Sequence, residues 1–338
     1  MFKILVAGCG EMSRTWFDYA LSRKDCEIVG LVDIIRENAE NKAKEYNLNC
    51  GIFNDIQYAV NKCNANLVFD ITIPESHKNI VTSAISKGLN VMGEKPMADS
   101  FDSALEMLKT VENSKNSYSI MQNRRYLKNI RAFRQLLENG TIGTPGFLKA
   151  DFFLGPHFGG FRDLMDSPLI LDMAIHTFDQ ARFILGSDPV SVYCQEFNPE
   201  GSWYKGNSSS VCIFEFLNGC IFSYNGSWSA EGFNTSWEAD WRLQSSLGSA
   251  IWNGYDFPQY EIVKPGEKKF INDFELKTAG SEWTGLEGHL GCLDEMFDAL
   301  IKNRKAETDC TDNIKSMAMV FGALKSSKEQ RKIYLNDI

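Results

Sequence analysis

The sequence has only four histidines, no C-x-x-C pair among its nine cysteines, and no tract rich in lysine and arginine. The first two shortages speak against a zinc or cluster site, which needs imidazoles and thiolates at short spacings, and no metal is expected. Scattered, odd-numbered thiols also suit a reducing cytoplasm better than a disulfide framework. The missing basic tract, with a formal net charge of −9 and a pI near 5.1, argues against nucleic acid as a partner. No apolar run is long enough to span a bilayer, so no membrane partner is expected. The opening residues, MFKILVAGCG, lack the apolar length and cleavage site of a leader. Low-complexity segments and internal repeats are absent too. What remains is the profile of a soluble globular chain of 338 residues, 43% hydrophobic and 23% charged, with length enough for two cores.

The first 122 residues alternate strand-like and helix-like runs: KILVAG, EIVGLVD, LVFDITI, NVMGE and YSIMQN, separated by amphipathic stretches. Near-continuous apolar strands with helices between them predict a parallel sheet covered on both faces, a doubly wound α/β domain over 1–122. From 123 to 338 strands dominate, among them PGFLKADFF, PVSVYCQEF, SSVCIFEFL and CIFSYNGSW. This predicts an α+β domain with a large, mostly antiparallel open sheet, with the C-terminal helix a candidate to pack back on the first domain. Asn218-Gly219 between the last two runs predicts a type I′ hairpin. Residues 169–185 predict one long helix.

VAGCGEMS places Gly8 and Gly10 between the first strand and the first helix. The first glycine allows a tight turn, and the second lets backbone N–H groups approach a pyrophosphate seated on the helix N-terminus. Gly8, Gly10, Glu11 and Met12 are therefore dinucleotide candidates. Asp33 ends the second strand, about 20 residues on, where a carboxylate bonds the adenine ribose and repels a 2′-phosphate. NAD is expected over NADP, although Arg36 lies close enough to blur the preference. The alternative for Asp33 is a helix N-cap, and one side chain could serve both ends.

VMGEKP puts Glu94 and Lys95 at the tip of a buried strand, with Pro96 behind them. In SPLILDMAIHTFDQARFILG, Asp172 and His176 are four apart and share a helix face. A histidine on a mostly apolar helix is more often a satisfied core residue than a catalyst. Together, however, these residues supply one reaction: imidazole suits the base for a hydroxyl proton, a fixed ammonium suits the developing oxyanion, and a nearby carboxylate orients substrate or tunes the base.

These motifs together resemble the Gfo/Idh/MocA family, named for glucose–fructose oxidoreductase and inositol dehydrogenase. The resemblance runs from VAGCGEMS through EKP and NRRY to TDNIKSMAMVFGALKSS, essentially the whole chain. It implies that Lys95 of the E-K-P strand end is catalytic, that Asp172 binds substrate, and that His176 is catalytic. It also implies that Pro74 and His77, in TIPESH, flank the cofactor beside Glu94 and Lys95. For His77 the alternative is a helix-start residue without chemistry. Arg124 of NRRY joins the substrate candidates. There are departures: Ser13 replaces the third fingerprint glycine, Ala174 stands where the family usually has glycine, and MDSP replaces a glycine-rich lead into the helix.

GPHFGGFRD offers His157 and Arg162 on a glycine-flanked loop as further substrate contacts. The alternative is a surface loop whose Arg162 pairs with Asp163 or Asp166. The expected function is NAD-dependent oxidation of a secondary hydroxyl on a sugar, polyol or sugar derivative, or the reverse. A redox-neutral NAD-dependent glycosidase-like enzyme and a non-catalytic NAD-binding regulator are the alternatives. In SSVCIFEFL both alternating sets of side chains are largely apolar, so a homo-dimer or homo-tetramer built on that sheet is expected, as the resemblance also implies.

Overall fold

The computed structural model describes residues 1–267 and 269–338. Along the chain run β1 (Phe2–Ala7), α1 (Ser13–Ser22), β2 (Cys26–Val32), α2 (Arg36–Glu45), β3 (Gly51–Phe53), α3 (Ile56–Lys62), β4 (Leu67–Asp70), α4 (Pro74–Ser86), β5 (Asn90–Gly93), α5 (Phe101–Glu112) and β6 (Tyr118–Ile120). There follow α6 (Lys128–Glu138), β7 (Pro145–Phe153), α7 (Ile175–Leu185), β8 (Pro189–Phe197), β9 (Ser209–Phe216), β10 (Ile221–Ser227), β11 (Asp240–Ser245), β12 (Gly248–Trp252), β13 (Gln259–Val263), β14 (Phe274–Thr278), α8 (Gly288–Ile301), α9 (Cys310–Glu329) and β15 (Ile333–Tyr334). The chain divides into two compact units: Met1–Asn123 with Gly288–Met317, and Arg124–Glu287 with Ala318–Ile338.

In the first unit six strands form a parallel sheet in the order β3-β2-β1-β4-β5-β6. This is the doubly wound Rossmann arrangement, whose order reverses between β1 and β4. Local chemistry sets the helix starts: Asp55 accepts the Tyr58 N–H at 2.6 Å, Ser100 accepts that of Ser103 at 3.2 Å, and proline opens α4. Phe297 of α8 packs edge-on against Phe2 and Phe69, and Trp16 of α1 meets Phe69 at 4.9 Å.

The second unit holds a nine-stranded sheet, β14-β13-β12-β11-β7-β10-β9-β8-β15, in which β7 and β10 pair in parallel and the other neighbours are antiparallel. The alternation in β9 separates the faces cleanly. Cys212, Phe214 and Phe216 are buried with Phe178 of α7 against Phe214 at 4.8 Å, whereas Val211 and Ile213 are 41% and 47% exposed. Tyr193, Phe197, Phe147 and Phe153 are exposed as well. Along β8, the N–H groups of Cys194 and Glu196 donate to the hydroxyls of Ser326 and Ser327 on α9, at 2.9 and 3.1 Å.

One local expectation fails, and another holds in extent but not in kind. The β9–β10 turn is not type I′: the Gly219 N–H donates to the Phe216 carbonyl, the Phe216 N–H donates to the Cys220 carbonyl, and only Gly219 of the Asn-Gly pair has positive φ (81°). That is a three-residue loop with a glycine bulge, which spares Asn218 the left-handed conformation. The helix expected over 169–185 opens as a π-helical stretch, Leu169–Ala174, and becomes α-helical at Ile175. Apolar spacing does not register one widened turn, so the pattern reads as a single helix.

Candidate active site

In the first unit the glycine turn is fixed from two sides. Gly8 has φ +89°, and a Cβ there would lie 2.4 Å from the Ile71 carbonyl oxygen, so glycine is required to pass the loop after β4. Gly10 meets nothing within 4 Å. The protein itself does not need a glycine there, and the open space is what a close-approaching pyrophosphate needs; the residues fit the dinucleotide. Ser13, at the third fingerprint position, is fully buried and donates its hydroxyl to the Gly10 carbonyl at 2.6 Å, closing the turn where a third glycine would merely make room. Glu11 and Met12 are exposed, and Glu11 pairs with Arg14 at 3.3 Å.

Asp33 accepts the Cys9 N–H at 2.9 Å through Oδ2 and the Ile35 N–H at 2.8 Å through Oδ1. Its carboxylate is thus aimed by the backbone of the glycine turn and of its own loop. Pro74 is a first-turn residue of α4, and His77 is fully buried with Nε2 3.1 Å from the Thr72 carbonyl. A nitrogen facing a carbonyl oxygen carries the proton, so His77 donates and secures the loop.

Glu94 explains the charged tip of β5. Its side chain is buried and accepts the Trp16 indole N–H at 2.8 Å, while its own N–H donates to the Asp70 carbonyl at 2.8 Å. Its other oxygen accepts the Lys95 N–H at 3.3 Å. The carboxylate is a bracket that fixes the backbone of Lys95, whose side chain is half-buried.

In the second unit α7 is buried at every residue. Its main tie is ionic: Arg125 grips Asp179 through two hydrogen bonds of 2.6 Å, both side chains being almost wholly buried. Asp172 lies in the π-helical stretch, with 16% of its side chain exposed, and His176 in the first α-helical turn, 7% exposed. π-Helical insertions recur at functional sites. Asp172 Oδ2 accepts from Arg162 Nε at 2.7 Å. Arg162 therefore pairs with the candidate site carboxylate instead of with Asp163 or Asp166.

Arg124 is committed elsewhere: its guanidinium donates to the Trp237 carbonyl, sits 3.5 Å from Glu238 and touches the Met173 sulfur, and burial lowers its pKa. These ties account for its position without a ligand. His157 is exposed, stacks on Trp203 at 3.7 Å and bonds Glu231 at 2.9 Å.

Two acids escaped the sequence reading. Glu238 accepts from Gln180 at 2.7 Å, and burial raises its pKa against the opposing pull of Arg124 and Gln180. Gln180 follows His176 by four residues, so the stripe of Asp172 and His176 extends to it, a signal that spacing could have shown. Glu196 is buried beneath the helix entrance, bonded only weakly by Ser167 at 3.3 Å, and desolvation pushes its pKa up to about 7. Its signal was phase: in PVSVYCQEF it falls among the inward side chains with Val192 and Cys194.

The oxidoreductase family model with an NAD-binding Rossmann fold matches residues 2–122, and the Gfo/Idh/MocA C-terminal domain model matches 130–251. The chain belongs to the Gfo/Idh/MocA oxidoreductase family. It carries that family's NAD-binding domain. It is 27% identical to a D-apiose dehydrogenase of Rhizobium rhizogenes over 78% of this chain and 77% of the relative. An inositol 2-dehydrogenase/D-chiro-inositol 3-dehydrogenase of Lacticaseibacillus casei is 26% identical over 56% of this chain and 55% of its own. The fold matches an Agrobacterium radiobacter oxidoreductase, solved with NAD+, L-tartaric acid and magnesium, with a TM-score of 0.86 at 21% identity across 99% of both chains.

Proposed function

We propose that the protein is an NAD-dependent dehydrogenase, or reductase in the reverse sense, acting on a secondary hydroxyl of a sugar, polyol or sugar derivative. The observation that carries the reading is the presence in one chain of a backbone-built dinucleotide turn in the first unit and of Asp172 and His176 on one buried helix in the second. The family relatives named for D-apiose and inositol dehydrogenation support the substrate class.

Bound NAD would be held by Gly8, Gly10 and Asp33 and would supply the hydride acceptor. In this reading the Lys95 ammonium holds the reacting oxygen and stabilises its developing negative charge. His176 takes the hydroxyl proton on oxidation and returns it on reduction. Asp172 accepts a hydrogen bond from a neighbouring substrate hydroxyl. The reading includes self-association through the open sheet face, where Val211, Ile213, Tyr193 and Phe197 stand exposed.

The test is incubation of pure protein and NAD with a panel of sugars and polyols, followed by absorbance of NADH. Turnover of at least one compound, lowered by about 100-fold or more in His176→Ala, supports the proposal; a panel without turnover counts against it. Because the Asp33 carboxylate would face a 2′-phosphate, calorimetry should find NAD bound more tightly than NADP by about 1–3 kcal/mol.

A further inference from the structure

The Arg162 guanidinium is held on three sides and open on the fourth. Nε donates to Asp172 at 2.7 Å, which fixes the plane of the group. The rings of Phe158 and Phe161 lie 5.0 and 4.8 Å from its central carbon, a cation–π clamp. The terminal nitrogens Nη1 and Nη2 make no hydrogen bond to any described residue, and the side chain is 33% exposed.

The loop that carries it has anchored ends. A Cβ on Gly155 would strike the Ala230 carbonyl at 2.5 Å, and one on Gly206 would strike that of Asp166 at 2.1 Å, so backbones meet closely at both places. Phe158 and Phe161 are themselves 51% and 65% exposed.

A guanidinium with its Nε edge tied down and its two-pronged edge open is preorganised for a carboxylate, whose two oxygens match the fork. A neutral sugar hydroxyl engages such a fork through one oxygen only and leaves its second prong without an acceptor. We infer that the substrate is an acidic one, a sugar acid such as a uronate or aldonate, whose carboxylate is held by Arg162 while its hydroxyls face Asp172. This rests on the dehydrogenase reading for the reaction, and it adds Arg162 as the residue that selects the substrate. The exposed rings of Phe158 and Phe161 would cover the apolar face of the bound chain or ring.

The test uses matched pairs that differ by a carboxylate, such as D-glucose with D-glucuronate and D-galactose with D-galacturonate, together with aldonates. With NAD present, kcat/KM for the acid should exceed that for its neutral partner. Arg162→Lys, which keeps the charge and loses the fork, should lower that ratio by about 10- to 100-fold. A purely structural role through Asp172 would lower both members alike, so an unchanged ratio overturns the inference, as does preference for the neutral member. If no compound yields NADH, calorimetry on NAD-loaded protein decides. Acid binding that weakens in Arg162→Lys supports the inference and leaves only the dehydrogenase reading fallen, while equal or absent binding of both members overturns the inference as well. Arg162→Met replaces the lysine variant in every arm if circular dichroism shows the latter unfolded.

Discussion

The glycine turn of the first unit and the aspartate–histidine helix of the second hold their chemistry by different means. The turn is made of backbone: a left-handed Gly8, an open Gly10, and N–H groups of Cys9 and Ile35 that aim the Asp33 carboxylate. The helix is held by side chains, two of them from distant sequence, Arg125 on Asp179 and Glu238 on Gln180, and one from the preceding loop, Arg162 on Asp172. A backbone site tolerates change in most side chains around it. A site held by buried charge depends on each partner, because an ion left alone in the interior costs far more than the pair contributes.

The largest expected effect is therefore in the second unit. Asp179→Ala leaves the buried Arg125 guanidinium without its carboxylate and should reduce the unfolding free energy by about 3–5 kcal/mol, measured by urea titration. A loss below about 1 kcal/mol would erase the contrast.

Next come the reacting groups. His176→Ala and Lys95→Ala should each lower kcat by on the order of 100-fold or more while NAD affinity in calorimetry stays near that of the parent. Near-normal turnover in either variant removes that residue from the reaction.

Glu196 follows: burial raises the pKa of its carboxyl from an ordinary 4.5 to about 7. The folded state then keeps its proton over a range where the unfolded state has lost it. Stability should fall as pH rises from about 4.5 to 7, by a total of roughly 3 kcal/mol for this group. Glu196→Gln, which mimics the protonated form, should melt with the parent near pH 4.5 and increasingly above it toward pH 8. Parallel melting curves across that range would show that the acid ionises without penalty.

The smallest effect on stability belongs to the turn. Gly10→Ala meets open space and should change stability by no more than about 0.5 kcal/mol, yet weaken NAD several-fold in calorimetry. Unchanged NAD affinity would mean that the space in front of Gly10 is not where the pyrophosphate sits.

The same contrast decides what the sequence made legible. VAGCG, the Asp33 strand end and the alternation of PGFLKADFF and PVSVYCQEF are local signals, and the strands Pro145–Phe153 and Pro189–Phe197 follow those runs residue for residue. Short or polar strands such as Gly51–Phe53 and β12 to β14 carry too little periodicity to read. The Glu94 bracket was out of reach because Trp16 is 78 residues away in the chain. Likewise Asp163 and Asp166 are nearer to Arg162 in sequence than Asp172 is, yet the loop and helix geometry selects Asp172.

One feature of the nine-stranded sheet bears on how the protein avoids joining other sheets. The terminal strand β15 covers only Ser191 and Val192 of β8, and farther along the N–H groups of Cys194 and Glu196 would be a template for any passing extended segment. The hydroxyls of Ser326 and Ser327 occupy those two donors. At the opposite border, β14 is exposed at all five residues and carries Glu275 and Lys277, charges that an incoming strand would have to strip of water. Replacing both serines with alanine should strand two donors beneath α9, where neither water nor another strand reaches them, and lower the unfolding free energy in urea titration by about 1–3 kcal/mol for each.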